Sequence, residues 1–214
     1  ETTEKNNDTL RLIYTSTPHR GLNILVPVFA KLAEKHKNIH LDVFSSFEIY
    51  GWKQRDEQYK ELFEQIEAHD QMTYHGTQSN DTVREALQQS HIFAYPSIWA
   101  ETSCLSLIEA MSAGLVCVHS NYAALYETAA NWTRMYQLHE EPSHHAAIFY
   151  NVLDTIIENY STSNVQANLN AMKTYTDIHY GWDYRTMEWE ALLTSLINTI
   201  EDKSIPEEVF NYKV

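Results

Sequence analysis

Positive charge is scarce in this sequence. Over 214 residues, 15 lysines and arginines face 29 aspartates and glutamates, giving a formal net charge of -14. No basic patch is available to displace counterions from a phosphate backbone, which excludes an electrostatic nucleic-acid binder. An acidic surface favours solubility instead. Cysteine is scarcer still: only Cys104 and Cys117 occur, too few for a disulfide framework or a cysteine zinc site, and they fit a reducing, cytoplasmic setting. No run approaches the ~20 apolar residues of a transmembrane segment. The chain opens on Glu1 rather than Met and stays polar through Thr9. That tail reads as a linker within a longer protein, not as a secretory leader.

What remains is a folded chain, 43% hydrophobic and 12% aromatic, long enough for one large domain with a buried core or for two small ones. Residues 10–15 are rich in β-branched and aromatic side chains and end at Ser16-Thr17-Pro18, the pattern of a strand. Over residues 21–36, Leu22, Leu25, Val26, Phe29, Ala30 and Ala33 recur at helical spacing, opposite Lys31, Glu34 and Lys35. Pro27 inside this helix predicts a kink or a late start. Strands follow over 39–45, 71–75, 92–95 and 115–119, with helices over 56–69, from a cap at Asn80 or Asp81 to residue 89, and over 103–113. A helix from Tyr122, a strand over 134–138 and helices over 141–160, 163–175 and 184–201 complete the pattern.

This alternation predicts an α/β fold: a doubly wound, Rossmann-like parallel sheet with helices on both faces and a helical C-terminal tail. Residues 1–9 are expected as a tail, 10–140 as the core, and 141–214 as helices packing on it. Ligands in such sheets lie beyond the carboxyl ends of the strands, which singles out residues 16–21, 45–52, 75–78, 96–106 and 119–122.

The chemistry concentrates between Tyr95 and Gly114. Glu101 and Glu109 would lie about 80° apart around one continuous helix and ~12 Å along it. If the helix begins near Ser103, Glu101 sits in the preceding loop and Glu109 a turn and a half inside, its side chain tilted back toward the N-terminus. Both then face one pocket. Between them the N–H groups of Cys104, Leu105 and Ser106 are free for a diphosphate, with the Thr102 or Ser103 hydroxyl as cap or second ligand. A carboxylate repels phosphate, so the two glutamates read as acceptors for sugar hydroxyls on either side of it. A solvated Glu109 and a Glu101 that merely complements the helix dipole satisfy the same spacing.

The frame Pro96-Ser97, Glu101, Thr102 through Ser106, Glu109-Ala110-Met111 and Gly114 resembles the E-x7-E signature of retaining GT-B glycosyltransferases, glycosyltransferase family 4 above all. Arg20-Gly21 ahead of a helix is similar to the basic-Gly turn of that family, and His75-Gly76 to its glycine after the third strand. The resemblance covers residues 10–140. It implies one half of a GT-B fold, the C-terminal domain that binds the nucleotide-sugar.

The resemblance also implies roles. Glu109 would hold the ribose hydroxyls, and Glu101 would contact the donor sugar and support the transition state. The backbone of Thr102, Ser103, Cys104, Leu105 and Ser106 would hold the phosphates, Arg20 would neutralise the departing diphosphate, and His75, Gly76, Thr77 and Gln78 would border the base. The reaction implied is retaining transfer of a hexose from a UDP- or GDP-sugar, with attack from the face the diphosphate leaves and no protein nucleophile. No other cofactor and no metal is implied, since no ligand cluster is evident and Arg20 supplies the cation. The acceptor, a glycan, lipid or protein, is expected on an N-terminal domain absent from this sequence, so that the isolated chain binds a donor without transferring from it. Trp182 and Trp189 resemble the family's helix that packs back toward that domain, while ordinary core packing accounts for either residue equally well.

Two departures open alternatives. Thr15-Ser16-Thr17 stands where the family has a Gly-Arg pair, leaving Arg20 and His19, and Thr102-Ser103-Cys104 replaces a glycine-rich turn. The alternatives are a non-catalytic module that binds a sugar-nucleotide or a partner, and a GT-B sugar-nucleotide epimerase relative. Tyr50 and Trp52 are candidates to line the pocket. His36, His40, His144 and His145 read as surface residues, and Asn131-Trp132-Thr133 matches a glycosylation pattern without meaning in a cytosolic chain.

Overall fold

The computed structural model describes residue 5 and residues 8–201, with side chains to residue 198. The predicted tail lies mostly outside the described residues, as do residues 202–214. Six strands, β1 (Leu10–Thr15), β2 (Ile39–Phe44), β3 (Met72–Tyr74), β4 (Ile92–Tyr95), β5 (Val116–Ser120) and β6 (Arg134–Tyr136), form one sheet in the order β3-β2-β1-β4-β5-β6. Every pairing is parallel. Parallel neighbours need crossovers, and the helices α1 (Leu22–Lys35), α2 (Lys60–Glu67), α3 (Asn80–Gln89), α4 (Leu105–Ser112) and α5 (Leu125–Ala129) provide them. Then come α6 (Pro142–Asn159), α7 (Ser163–His179) and α8 (Trp182–Glu201).

The central strands are apolar almost throughout because helices cover both faces. Leu12, Ile13, Tyr14, Ile92, Phe93, Ala94 and Tyr95 are all fully buried. In register, Leu12 faces Leu41 on one side and Ile92 on the other. Helix α1 adds Leu22, Leu25, Phe29 and Leu32 to this core, and α6 adds Phe149 and Leu153. The chain leaves β1 toward β2 on one side and returns to β4 on the other, so a crevice opens beyond Thr15 and Tyr95.

Local details depart from expectation. Helix α1 runs through Pro27 instead of starting after it. Pro27 and Asn23, whose carbonyl loses its usual helical donor, are both exposed, where water can satisfy that carbonyl. Ser79, not Asn80 or Asp81, caps α3, its Oγ accepting from the Thr82 N–H at 3.2 Å. A 3-10 segment, Lys53–Tyr59, precedes the shorter α2. His145 is buried rather than superficial, with Nε2 2.8 Å from the Tyr136 hydroxyl, and His36 pairs with Asp154 at 2.6 Å.

The described chain falls into two compact units divided between Thr174 and Tyr175. The first holds the sheet and α1 through α6. In the second, Trp182, Trp189, Leu193, Leu196 and Ile197 recur at helical spacing on one face of α8, and all are exposed.

His119 gives the fold a pH dependence. Its ring is buried at the end of β5, with Nδ1 2.7 Å from the Ser120 carbonyl and Nε2 2.7 Å from the Thr133 hydroxyl, an arrangement that suits the neutral ring. Burial lowers its pKa to about 4, against a weaker raising effect of the Ser120 carbonyl. The unfolded chain therefore takes up a proton near pH 6.5 that the folded chain refuses until about 4. Stability is fully present above that window and falls as pH drops through it, by about 3 kcal/mol from this group. Urea unfolding across the window should show this loss, and His119→Asn should flatten the slope.

Candidate functional site

The site is assembled where the loops after β1 and β4 touch. The 3-10 turn Pro18–Arg20 ends on Gly21, whose φ of +116° is a left-handed value that glycine tolerates. A Cβ there would stand 2.2 Å from the Pro96 carbonyl oxygen. This close approach carries Arg20 to Glu101. Arg20 Nη1 donates to Glu101 Oε1 at 2.8 Å and Oε2 at 3.0 Å, while the Tyr95 hydroxyl donates to Oε1 at 2.6 Å. Glu101 is buried. Burial is the largest single effect on Arg20 and opposes its charge, but Glu101, Tyr95 and Tyr50 together outweigh it and the pKa of the guanidinium rises. Burial likewise raises that of Tyr95, with Cys104 and Glu101 adding to it, so its hydroxyl stays a donor.

Helix α4 begins at Leu105, two residues later than predicted, with Cys104 as a cap whose side chain makes no capping bond. The N–H groups of Leu107 and Ile108 both reach the Cys104 carbonyl. Those of Leu105 and Ser106 have no acceptor within the helix and face its N-terminal end, where the dipole favours an anion. Ser106 Oγ donates to the Thr15 carbonyl at 2.6 Å, tying the start of α4 to the end of β1. At the other end, Gly114 N–H bonds the Met111 carbonyl and Leu115 N–H that of Ala110, a Schellman closure.

These elements enclose a cavity of 380 Å³. Of the predicted site residues, Arg20, Gly76, Thr77, Glu101, Thr102, Ser103, Cys104, Leu105, Ser106 and Glu109 all line it, as do Gln78 and Tyr50. Glu109 is exposed. Its wall also holds Thr15 Oγ1, Thr17 Oγ1, Ser45 Oγ and Arg20 Nε, buried polar atoms without a hydrogen-bond partner among the described residues, a concentration typical of functional sites.

Three expectations are displaced. His75 does not line the cavity. Its ring stacks on Phe44 at 4.2 Å and its Nε2 lies 2.8 Å from Asp42 Oδ1, while Asp42 Oδ2 accepts from Arg11 at 2.6 Å. Residues 119–122 do not line the cavity either: His119 is buried against the Thr133 hydroxyl and Ser120 Oγ donates to the Ser97 carbonyl, while Trp52 lines a neighbouring pocket. A metal-type cluster does form, of His36, Asp154 and Glu158, but the Lys35 ammonium bridges its two carboxylates at 2.8 and 2.7 Å and fills the place of a cation.

Sequence reasoning missed one residue that shapes the cavity and one that holds His75 away from it. The Tyr95 hydroxyl looked like strand interior, although it orients Glu101. Asp42 left a legible signal, since a charge within the apolar strand Ile39–Phe44 demands a partner.

A family model described as glycosyl transferases group 1 matches residues 3–171. Among solved structures, the chain is similar to a glycosyltransferase from Rickettsia africae (TM-score 0.73, 14% identity, 90% of this chain and 49% of that one). It is similar also to sucrose-phosphate synthase from Thermosynechococcus elongatus (TM-score 0.72, 15% identity, 90% and 46%). A third is Anabaena Alr3699/HepE in complex with UDP and glucose (TM-score 0.67, 17% identity, 88% and 49%). At such identities the likeness is one of fold, and the chain spans about half the length of each. No curated protein sequence matches significantly. Among the described residues, no helix is long and apolar enough to cross a membrane.

Proposed function

The chain belongs to the group 1 glycosyl transferases, and on that premise we propose that it is the C-terminal, donor-binding half of a retaining enzyme of the family 4 type. That enzyme moves a hexose from a UDP- or GDP-sugar to an acceptor held by a domain outside this sequence. The observation that carries this reading is the cavity itself: free N–H groups of α4, the Arg20–Glu101 pair and Glu109 converge at the point where the strand order reverses.

The diphosphate lies against the Leu105 and Ser106 N–H groups, beside Thr102, Ser103 and Cys104. Glu109 accepts from the ribose hydroxyls, and Gly76, Thr77 and Gln78 border the base. As the glycosidic bond breaks, negative charge grows on the leaving diphosphate, and Arg20, with Nη1 committed to Glu101, turns the rest of its fork to that charge. Glu101 steadies the guanidinium and the donor sugar, whose oxocarbenium-like centre is attacked from the departing face. The exposed stripe of α8 meets the acceptor domain, and the two buried free thiols suit a cytoplasmic setting.

One observation favours a binding-only module. Among the described residues Arg20 is the sole lysine or arginine lining the cavity, and Glu101 already neutralises it. Thermal unfolding with a panel of nucleoside diphosphates and their sugars tests donor binding, because a ligand at a hundred times its Kd stabilises by about 2.7 kcal/mol. At least one should raise Tm, and no shift with any of them contradicts the donor site. Transfer by the full-length protein excludes the binding-only module, and an altered sugar formed without acceptor identifies an epimerase.

A further inference from the structure

Beside the donor cavity lies a second pocket of 500 Å³ whose walls come from the loops after β1, β2 and β4. It shares Arg20 and Tyr50 with the donor cavity, so anything bound in one touches the frame of the other. Tyr50, Trp52 and Trp99 are 53%, 45% and 48% exposed around it. Lone surface aromatics need no explanation, but three turned to one pocket do. The His19 ring holds the wall in place, stacked on Phe47 at 5.1 Å and edge-on to Trp99 at 4.6 Å.

Charge is the second observation. In a chain of net charge -14, the described residues that line it include Arg20 and Arg55 and no carboxylate, while His19, whose pKa is lowered by burial and by both arginines, adds no charge. Arg20 is paired with Glu101. Arg55 lies 4.4 Å over the Trp52 ring and has no ion-pair partner among the described residues, so its fork is free for an incoming anion. The aromatic faces offer the negative surface against which the C–H edges of a sugar ring pack.

We propose that this pocket binds a sugar bearing a carboxylate or phosphate, its ring against Trp52 and Trp99 and its anionic group on Arg55. That sugar is the acceptor end of the transfer, an assignment that rests on the donor-site reading above; the binding itself does not. The acceptor is then held in part by this half of the enzyme.

Ligand-observed NMR on the chain, with glucuronic acid, glucose 6-phosphate and glucose as probes, tests it. At least one anionic sugar should bind, with glucose about tenfold weaker, the weight of a charged hydrogen bond. Arg55→Gln should reduce the anionic sugar to the level of glucose and leave UDP affinity unchanged. The tighter of the two anionic probes identifies the substituent. Absence of anionic-sugar binding, a preference unaltered by Arg55→Gln, or displacement of the anionic sugar by UDP overturns the proposal. The two readings fail separately: anionic sugar bound without UDP removes the donor site and keeps this pocket, whereas UDP bound without anionic sugar does the reverse.

Discussion

Gly21→Ala is expected to destabilise the chain by roughly 3 kcal/mol, through left-handed strain plus overpacking. The added Cβ would lie 2.2 Å from Pro96 O and 2.9 Å from its carbonyl carbon, both backbone atoms that no rotamer change can move. Relief requires the loop after β1 to separate from the loop after β4. That separation pulls Arg20, the preceding residue, off Glu101, so the same substitution should also remove nucleotide binding at temperatures where the chain is still folded. Gly51→Ala is the control, because it too has positive φ but a Cβ there meets nothing within 4 Å. It should carry the backbone strain alone, about 1 kcal/mol. Urea unfolding of the two variants measures the difference, and equal losses would mean that the contact with Pro96 has no weight.

Glu101→Ala should cost a comparable amount, about 3 kcal/mol, because it strips the carboxylate from a buried pair and leaves the guanidinium unbalanced. The side chains of Glu101 and Arg20 are 5% and 21% exposed, so water can replace little of what is lost, and the Tyr95 hydroxyl loses its acceptor as well. Removing both charges should cost less than removing one. Arg20→Leu combined with Glu101→Leu is accordingly expected to recover part of the loss, and a double-mutant cycle by chemical denaturation reads the coupling. Additive losses would show that the two side chains do not act as a pair. Glu101→Gln keeps the shape and an acceptor for Tyr95. It should stay closer to the parent in stability while losing transfer in the full-length protein, which separates the structural share of Glu101 from the chemical one.

Much of the fold was legible because the strands are buried on both faces. Runs such as Leu10–Thr15 and Ile92–Tyr95 leave no competing reading once the helices between them show their period. Helix starts were less legible. Thr102 and Ser103 look like caps, yet α4 begins at Leu105 after an extended Cys104, and its first turn is tied by the Ser106 hydroxyl to the Thr15 carbonyl, a contact 91 positions away in the chain. Distance along the chain also hid the pairing of Arg20 with Glu101, 81 positions apart. Each residue could be nominated from its loop, but their meeting depends on the order of β1 and β4 in the sheet. His75 was misplaced for the same reason: its loop position suggested the cavity, whereas Asp42 on the neighbouring strand holds its ring on another face.

The central claim is that the cavity at the start of α4 holds a nucleoside diphosphate by its ribose and phosphates. Isothermal titration of UDP, GDP and their sugars into the chain and into Glu109→Ala tests it most directly. Glu109 is exposed, so its removal should leave unfolding unchanged. The account predicts that at least one of these nucleotides binds and that Glu109→Ala weakens it by ~1 to 3 kcal/mol, the range of charge-assisted hydrogen bonds. Binding of equal strength in the two proteins, or no binding to either, would contradict it.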